Sequence, residues 1–251
     1  MILSFNIEYR TNWGEEVKLA GLSTESTPMY TTDGIYWTAE VELEVPQEGL
    51  TIHYSYQIEQ NGIVIRKEWN NFPRCLFLSG TPRKKYRIND CWKNIPEQLY
   101  LYSSAFTEAL LSHPERVDIP QGYKKGLIIK AYAPRINKDY CLAICGNQKA
   151  LGNWDPEKAV LMSDFNFPEW QVELDASKLK YPLEYKFILC HKQERKIDCW
   201  EKNPNRYLAD PEIKTNETLV ISDRYVYFDI PMWKGAGIAI PVFSLKSEKS
   251  F

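Results

Sequence analysis

The segments LGNWDPEKAV (151–160), EYKF (184–187) and WEKNPNRYL (200–208) decide how the second half of the chain folds. Around EYKF, apolar and polar residues alternate, and this period of two is typical of a half-buried β-strand. The apolar set is Leu183, Tyr185, Phe187 and Leu189. The alternation places Glu184 and Lys186 on the opposite, exposed face of the predicted strand.

Two tryptophans stand in turn-like, polar segments at either end of this region. A buried tryptophan is normally flanked by apolar strand residues, and Trp154 and Trp200 are not. Two exposed indoles form a dry platform for a ligand with flat apolar faces, such as a pyranose ring. Lys186, Glu201 and Asn205 can supply hydrogen-bond partners for the hydroxyl groups at the rim of that ring.

Composition excludes several classes of protein. The 251 residues suffice for two domains, and a hydrophobic content of 44% supports real cores. The net charge of −2 and the pI of about 6.0 leave no basic stripe for a phosphate backbone. The N-terminus lacks the features of a signal peptide, and no apolar run approaches the roughly 20 residues of a membrane span. We therefore expect a cytoplasmic protein with no nucleic-acid or membrane partner.

Candidate catalytic and metal-binding residues are sparse. The six cysteines have no CxxC pair, which favours buried reduced thiols over disulfides or a metal site: Cys75, Cys91, Cys141, Cys145, Cys190 and Cys199. The three histidines show no metal spacing, and neither a phosphate loop nor a nucleophile elbow is present. Many acidic residues lie on the outward sides of predicted strands, where a solvated face is the expected role. We predict no metal, no cofactor and no catalytic residue in this chain.

Alternation also dominates the first 85 residues. It runs through segments 3–10, 37–45 and 50–58, and the pair Asn61-Gly62 then predicts a hairpin into IVIRKEW (63–69). Several short strands with no helical period predict a β-sandwich. Trp37 lies on the inward face of its alternating strand.

The fold class predicted for the whole chain is all-β, with two immunoglobulin-like antiparallel β-sandwich modules. The first covers 1–85 and the second 123–222, where alternation places Trp170 inside and Arg206 is interpreted as a structural pairing residue. Segment 86–122 is predicted to be a packed linker with a short helix capped by Ser104, and 223–251 begins a further domain.

The second module resembles the starch-binding domains, the family 20 carbohydrate-binding modules. The resemblance rests on LGNWDPEKAV, on PEWQVEL (168–174), on EYKF, and on WE followed by NPNR, and it covers roughly 124–222. It implies a main site in which two tryptophans stack on an α-glucan, helped by a lysine and an asparagine. The implied carbohydrate-binding residues are Trp154, Lys186, Trp200 and Asn205, with Glu201 alongside. The family's second, tyrosine-based site would need a position that is Ala143 here, with only Phe165 or Phe167 to replace the other tyrosine.

The first module repeats the order of the second and resembles a divergent domain of the same family. No tryptophan stands in STESTPM (23–29), Ser55 replaces the lysine, and only Trp69 of the stacking pair is retained by this comparison. Trp69 is thus the residue of a weak first-module site, if that module binds sugar. These departures favour a structural or domain-orienting role at least as strongly as glucan binding by the same site.

The segment KGAGIAIPVFSLKSEKSF (234–251) resembles the opening of a family 77 glycoside hydrolase domain, the 4-α-glucanotransferases or amylomaltases. The resemblance implies a non-catalytic region that holds α-1,4-glucan, such as maltooligosaccharide, starch or glycogen, for its own C-terminal catalytic barrel. The alternative is a structural or dimerising scaffold that binds little or no sugar. A glycogen-targeting module of a regulatory protein is a third, weaker hypothesis.

Overall fold

A computed structural model describes residues 1–69, 73–81, 84–95, 122–133, 136, 139–194, 196–226 and 228. Within these residues the chain forms seventeen strands and three short 3-10 helices. The strands are β1 (Ile2–Glu8), β2 (Glu15–Ala20), β3 (Thr27–Pro28), β4 (Tyr36–Glu42), β5 (Leu50–Gln60), β6 (Ile63–Lys67), β7 (Arg74–Leu78), β8 (Lys85–Cys91), β9 (Lys125–Tyr132), β10 (Tyr140–Gly146), β11 (Val160–Leu161), β12 (Ser163–Asn166), β13 (Glu169–Asp175), β14 (Leu183–His191), β15 (Ile197–Trp200), β16 (Arg206–Leu208) and β17 (Glu217–Tyr225). The helices are Lys149–Trp154, Pro156–Lys158 and Ala176–Lys178.

The strands form three sheets. A central sheet of seven strands has the order β12-β13-β9-β17-β8-β1-β4. The first outer sheet has the order β3-β2-β5-β6, with β7 paired to the other half of β5. The second outer sheet has the order β11-β10-β14-β15, with β16 also paired to β14. The all-β prediction is confirmed. The pairs β1–β8, β8–β17 and β9–β17 are parallel, so neither sandwich is purely antiparallel as predicted.

The alternation in the sequence corresponds to alternating burial in the strands. In β1, Leu3, Phe5 and Ile7 are buried while the residues between them are partly exposed. The predicted hairpin joins β5 to β6, and both Asn61 and Gly62 have the positive φ that a two-residue turn of this kind requires. The sequence period therefore predicted β1, β4 and β5 of the first sandwich, which consists of the first outer sheet and the β8-β1-β4 part of the central sheet.

Strand β17 connects the two sandwiches. It pairs with β9 of the second sandwich on one side and with β8 of the first on the other. Because successive side chains of a strand point to opposite faces, Val220 packs in the first core and Leu219 in the second. Ile128 and Leu127 of β9 are divided in the same way. The two cores therefore lie on opposite faces of the central sheet, and shared backbone hydrogen bonds fix the orientation of the sandwiches.

The predicted linker boundary is too early at its N-terminal end. Residues 86–91 belong to β8, whose side chains alternate between buried and exposed and which lies between β1 and β17. The tertiary pairing of β8 with strands far away in the sequence explains why this segment is a strand. The predicted helix after Ser104 and the segment 234–251 lie outside the described residues. Tyr225, at the end of β17, also lies three residues beyond the predicted end of the second sandwich.

Two hydrogen bonds of buried or partly buried side chains cross the junction of the sandwiches. Lys130 of β9 is 1% exposed, its Nζ lies 2.9 Å from the Oε1 of Glu169, and it also donates to the carbonyl of Cys75 in β7. Ser222 of β17 donates to Asp90 of β8 at 2.8 Å. Since a buried charge is costly unless it is paired, these contacts tie each sandwich to the other.

None of the six cysteines, all of which lie within the described ranges, forms a disulfide. Within the same part of the chain, no helix has the length and the apolar character needed to span a bilayer.

Candidate functional site

The candidate site lies on the outer face of the second outer sheet. In β14, Glu184 and Lys186 are partly exposed between the buried residues Leu183, Tyr185 and Phe187, as the alternation predicts. Opposite residues of antiparallel strands share a face, so the Lys186 side chain lies on the same face as that of its partner Cys145 in β10. Strands β10 and β14, together with β15 and β16, which pair with β14, therefore form this face.

The loop after β10 holds Trp154 over this face. Leu151 is fully buried and anchors the loop in the core, and a Cβ on Gly152 would meet the carbonyl oxygen of Lys158 at 2.9 Å. Asn153 and Trp154 follow with φ of 52° and 60°, a backbone region that costs free energy for residues other than glycine. The fold therefore maintains a strained turn at the position where the first tryptophan is presented.

Side-chain hydrogen bonds fix the base of the same loop. Asn147 donates to the carbonyl of Pro182 and accepts from the backbone N–H of Glu184. Gln148 donates to the carbonyl of Lys180 and accepts from its N–H, at 2.9 Å in both cases. Below the turn, burial raises the pKa of the Cys145 thiol. These contacts attach the Trp154 loop rigidly to the start of β14.

The two predicted stacking tryptophans come together in the structure. Trp200 ends β15 opposite Ile188, and its ring centroid lies 6.2 Å from that of Trp154 with 45° between the ring planes. Both indoles are only partly buried. The ammonium of Lys186 lies beside them and donates to the backbone carbonyl of Glu201 at 3.4 Å. Asn205 is exposed and directly precedes the short strand β16. The two tilted, partly buried rings form one aromatic surface.

Glu201 occupies a different place from the predicted one. Its side chain is buried, with 2% of the residue exposed, and accepts from the backbone N–H of Phe187 at 2.8 Å. Arg206 also pairs with it, with Nη2 2.9 Å from Oε2. Because its carboxylate oxygens are occupied inside the sandwich, Glu201 supports the site from below and does not face a ligand. The structural pairing predicted for Arg206 is confirmed.

A buried polar frame lies beneath the second sandwich's site. Arg206 pairs with Asp223 as well as with Glu201, and the hydroxyl of Tyr185 donates to Asp223 at 2.6 Å. Burial raises the pKa of Asp223, and the Arg206 guanidinium opposes that shift. Burial also raises the pKa of Tyr185 well above its ordinary value. The frame therefore holds Tyr185 as a neutral hydrogen-bond donor. It also joins β14 and β16 to β17 beneath the site.

The first sandwich contains the same frame. Arg74 pairs with Glu68 at 2.7 Å and with Asp90 at 3.0 Å, and Tyr54 donates to Asp90 at 3.0 Å. Glu68 accepts from the backbone N–H of Tyr56 just as Glu201 accepts from that of Phe187. Arg74 lies opposite Tyr54, as Arg206 lies opposite Tyr185. The internal repeat predicted from the sequence is thus present in the buried contacts.

When the two frames are matched, the residue of the first sandwich that is equivalent to Trp200 is Lys67 and not Trp69. Trp200 precedes the buried glutamate, whereas Trp69 follows it, so Trp69 does not occupy the position of a stacking tryptophan. The strand register agrees, because Lys67 lies opposite Gln57 where Trp200 lies opposite Ile188. The ring of Trp69 instead lies 5.9 Å from the ammonium of Lys93. The order Glu-Trp in one half and Trp-Glu in the other was the sequence feature that could have revealed this.

Other predicted positions have simple outcomes. Trp170 is fully buried and Trp37 is 6% exposed, which confirms both as core residues. Ala143 is also fully buried, so the second site implied by the resemblance has no side chain to present there. Phe167 packs edge-on against Trp170. Within the described ranges, no cluster of three or more His, Cys, Asp or Glu residues is suited to a metal ion.

Comparison with known families gives a match within the second sandwich. Residues 129–220 match the sequence model of the family described as starch binding domain. This segment contains Trp154, Lys186, Trp200 and Asn205, and it lies within the region whose resemblance was predicted. The resemblance is confirmed for this sandwich.

A particular enzyme is similar over nearly the whole chain. The 4-alpha-glucanotransferase DPE2 of rice, Oryza sativa subsp. japonica, is 23% identical over 273 residues, covering 98% of this chain and 28% of the rice protein. The chain therefore spans less than a third of the length of this curated relative.

Two solved structures are similar to less than half of this chain. The glycoside hydrolase family 15 glucoamylase of Hypocrea jecorina has 24% identity and a TM-score of 0.34, over 44% of this chain and 18% of the glucoamylase. The family 20 carbohydrate-binding module of a maltotetraose-forming amylase from Pseudomonas saccharophila has 17% identity and a TM-score of 0.32. That match covers 39% of this chain and 99% of the module.

Proposed function

We propose that the second sandwich binds α-1,4-glucans, such as maltooligosaccharide, starch or glycogen, without catalysing a reaction. The observation that carries this proposal is the pair formed by Trp154 and Trp200, 6.2 Å apart beside Lys186 on one outer face. Exposed aromatic pairs held by a strained turn are costly to maintain in the absence of a ligand. The match of 129–220 to the starch binding domain family supports the same proposal.

The geometry indicates how the sugars are held. The C–H faces of two glucose units pack on the two indoles, which face different directions because their planes differ by 45°. Lys186 and Asn205 donate hydrogen bonds to hydroxyl groups at the rims of the sugars. Such a site competes with water for every hydrogen bond, so a dissociation constant on the order of micromolar to millimolar is expected. Many sites on one polymer raise the effective affinity.

We further propose that this binding serves a larger protein of the 4-α-glucanotransferase type. Glycosyl transfer with retention needs two carboxyl groups about 5 Å apart in a cleft. The catalytic pair is assigned to a C-terminal barrel, for which the bound glucan is held as substrate. The similarity to the rice enzyme over 98% of this chain supports the assignment. The absence of disulfides among the six cysteines is compatible with the cytoplasm.

The test is a titration with β-cyclodextrin and with maltoheptaose, followed by heat or by intrinsic tryptophan fluorescence. Trp154→Ala and Trp200→Ala each abolish binding of both ligands, while far-UV circular dichroism shows an unchanged fold. Trp13→Ala is the matched control, because Trp13 is fully exposed in the first sandwich. This control binds both ligands with the affinity of the wild type. Binding that survives both site substitutions would assign the sugar to another surface.

A scaffold function is the second candidate, and one observation favours it for the first sandwich. That sandwich shares the central sheet with the second and is joined to it by the hydrogen bonds of Lys130 to Cys75 and of Ser222 to Asp90, so it fixes orientation whether or not sugar binds. We propose this role for the first sandwich alone. A wild-type chain that binds neither ligand at millimolar concentration would extend the scaffold role to both.

A further inference from the structure

An exposed tyrosine lies on the same outer face as the tryptophan pair. Tyr207 of β16 is 64% exposed and lies directly opposite Glu184 of β14. Opposite residues share a face of the sheet, and Lys186 is two residues from Glu184, so all three side chains are on one face. Trp200 belongs to the same face, since it lies opposite Ile188 of the same strand.

The spacing along β14 places Tyr207 beyond the site and not inside it. Trp200 and Tyr207 pair with the same edge of β14, at Ile188 and Glu184. Four residues of a strand cover about 13 Å, so the two aromatic side chains start that far apart. Lys186 lies midway between them. The order along this edge is therefore tryptophan, lysine, tyrosine.

Packing gives Tyr207 no role in the core. In β16 the partly buried residues are Arg206, which pairs with Glu201, and Leu208, which packs on the second core. Tyr207 lies between them on the solvent side, and among the described strands β16 is paired only with β14. An aromatic ring that adds nothing to the core, beside a surface for flat apolar faces, has the chemistry to bind one more sugar.

We propose that Tyr207 is a further glucan contact, which extends the site along β14 for chains longer than those the tryptophan pair holds. This inference rests on the proposed function of the same surface. The tyrosine ring packs on the C–H face of a glucose unit that lies beyond the tryptophan pair, on the Tyr207 side of Lys186. The Glu184 carboxylate accepts hydrogen bonds from the hydroxyl groups of that glucose unit. The site is then selective for chain length, since only a long linear glucan reaches Trp200 and Tyr207 together.

The test compares a short and a long ligand on Tyr207→Ala in the full chain. Isothermal titration gives the affinities for maltotriose and for maltoheptaose. One aromatic contact of this kind contributes about 1 kcal/mol, so the affinity for maltoheptaose falls about fivefold. The affinity for maltotriose is unchanged. Tyr207→Phe retains the wild-type affinity for maltoheptaose because the ring remains. Tyr36→Ala is the matched control, an exposed tyrosine of the first sandwich at 63%.

The outcomes separate this inference from the proposed function. If the wild type binds maltoheptaose and Tyr207→Ala binds it equally well, the extension is wrong and the tryptophan site stands. Equal weakening for both sugars also overturns the extension, because Tyr207 would then belong to the tryptophan site itself. If the wild type binds neither sugar, both proposals fail. Circular dichroism and thermal unfolding of each variant establish that the fold is retained.

Discussion

The two sandwiches have the same interior and different surfaces. Each contains a tyrosine, a glutamate, an arginine and an aspartate in one buried frame, formed by Tyr54, Glu68, Arg74 and Asp90 in the first and by Tyr185, Glu201, Arg206 and Asp223 in the second. On the surface above the frame, Lys186 and Trp200 of the second correspond to Ser55 and Lys67 of the first. The repeat has thus retained the groups that hold the strands, whereas the groups suited to a ligand differ.

This difference explains why one sandwich can lose a site without losing its fold. The site residues of the second sandwich are partly exposed, so replacing them removes little buried surface. The frame residues are buried in the first sandwich and buried or partly buried in the second, and removal of a charged one leaves its partners without compensation. In the first sandwich the frame has an added task, because Asp90 also accepts from Ser222 of the shared strand β17.

The largest expected effect comes from breaking the frame in the first sandwich. Arg74 is 3% exposed and its guanidinium forms ion pairs with two buried carboxylates, Glu68 and Asp90. Burial lowers the pKa of Arg74, but the charges of Asp90 and Glu68 outweigh it and the pKa is raised. Arg74→Met leaves both carboxylates unpaired and lowers the free energy of unfolding by about 3–5 kcal/mol. Chemical denaturation of the full chain measures the loss.

Arg206→Met tests the same frame in the second sandwich. The Arg206 side chain is 14% exposed, so in Arg206→Met water partly solvates the carboxylates that lose their partner. The free energy of unfolding therefore falls by less than in Arg74→Met. Because β8 and β17 share a ladder, both variants unfold in a single transition. Arg10→Met, a change at an exposed arginine, shifts stability by less than about 0.5 kcal/mol. Two separate transitions would contradict the shared-sheet account of how the sandwiches are joined.

The junction itself predicts a pH dependence. Burial lowers the pKa of Lys93 from 10.5 to about 8, although Glu169 opposes the shift. Between these pH values the unfolded chain binds a proton that the folded chain does not, so the stability contributed by this group rises with pH. Relative to Lys93→Met, the wild type gains about 2 kcal/mol between pH 8 and pH 10. Paired denaturation curves at pH 7, 8, 9 and 10 measure this gain, and a constant difference would contradict it.

The local pattern in the sequence was sufficient for β1, β4 and β5 and for the exposed face of β14. Alternation placed Lys186 outside and Trp170 inside because each depends only on its own strand. Strand β8 was missed because its partners include β17, about 130 residues away. The burial of Glu201 was missed for a similar reason, since its partners are set by how β15 and β16 both pair with β14. Strand β8 and the burial of Glu201 both depend on pairing between strands, which the alternation within one segment does not predict.

A smaller effect is expected when Lys186 of the second sandwich is replaced by serine, the residue that the first sandwich has at the equivalent position, Ser55. Lys186→Ser removes a charged donor beside the tryptophan pair and weakens maltoheptaose binding about tenfold, which corresponds to about 1.4 kcal/mol. Stability changes little, because Lys186 is partly exposed. The reciprocal change Ser55→Lys adds no second site, since the first sandwich has no tryptophan in 23–29. Titration gives both affinity and stoichiometry, and more than one site per chain in Ser55→Lys would contradict the comparison.

The smallest expected effect is that of Trp69→Ala on sugar binding. If Trp69 were the remaining stacking residue of a weak site, its removal would lower the stoichiometry or abolish a second phase of binding. Its position after Glu68, and the ammonium of Lys93 5.9 Å from its ring, indicate a role at the junction instead. We therefore expect the wild-type affinity and stoichiometry for maltoheptaose, together with a loss of stability of about 1 kcal/mol or more from the lost cation–π contact and packing. A change in binding at unchanged stability would return Trp69 to the ligand site and show that the first sandwich binds glucan by a surface of its own.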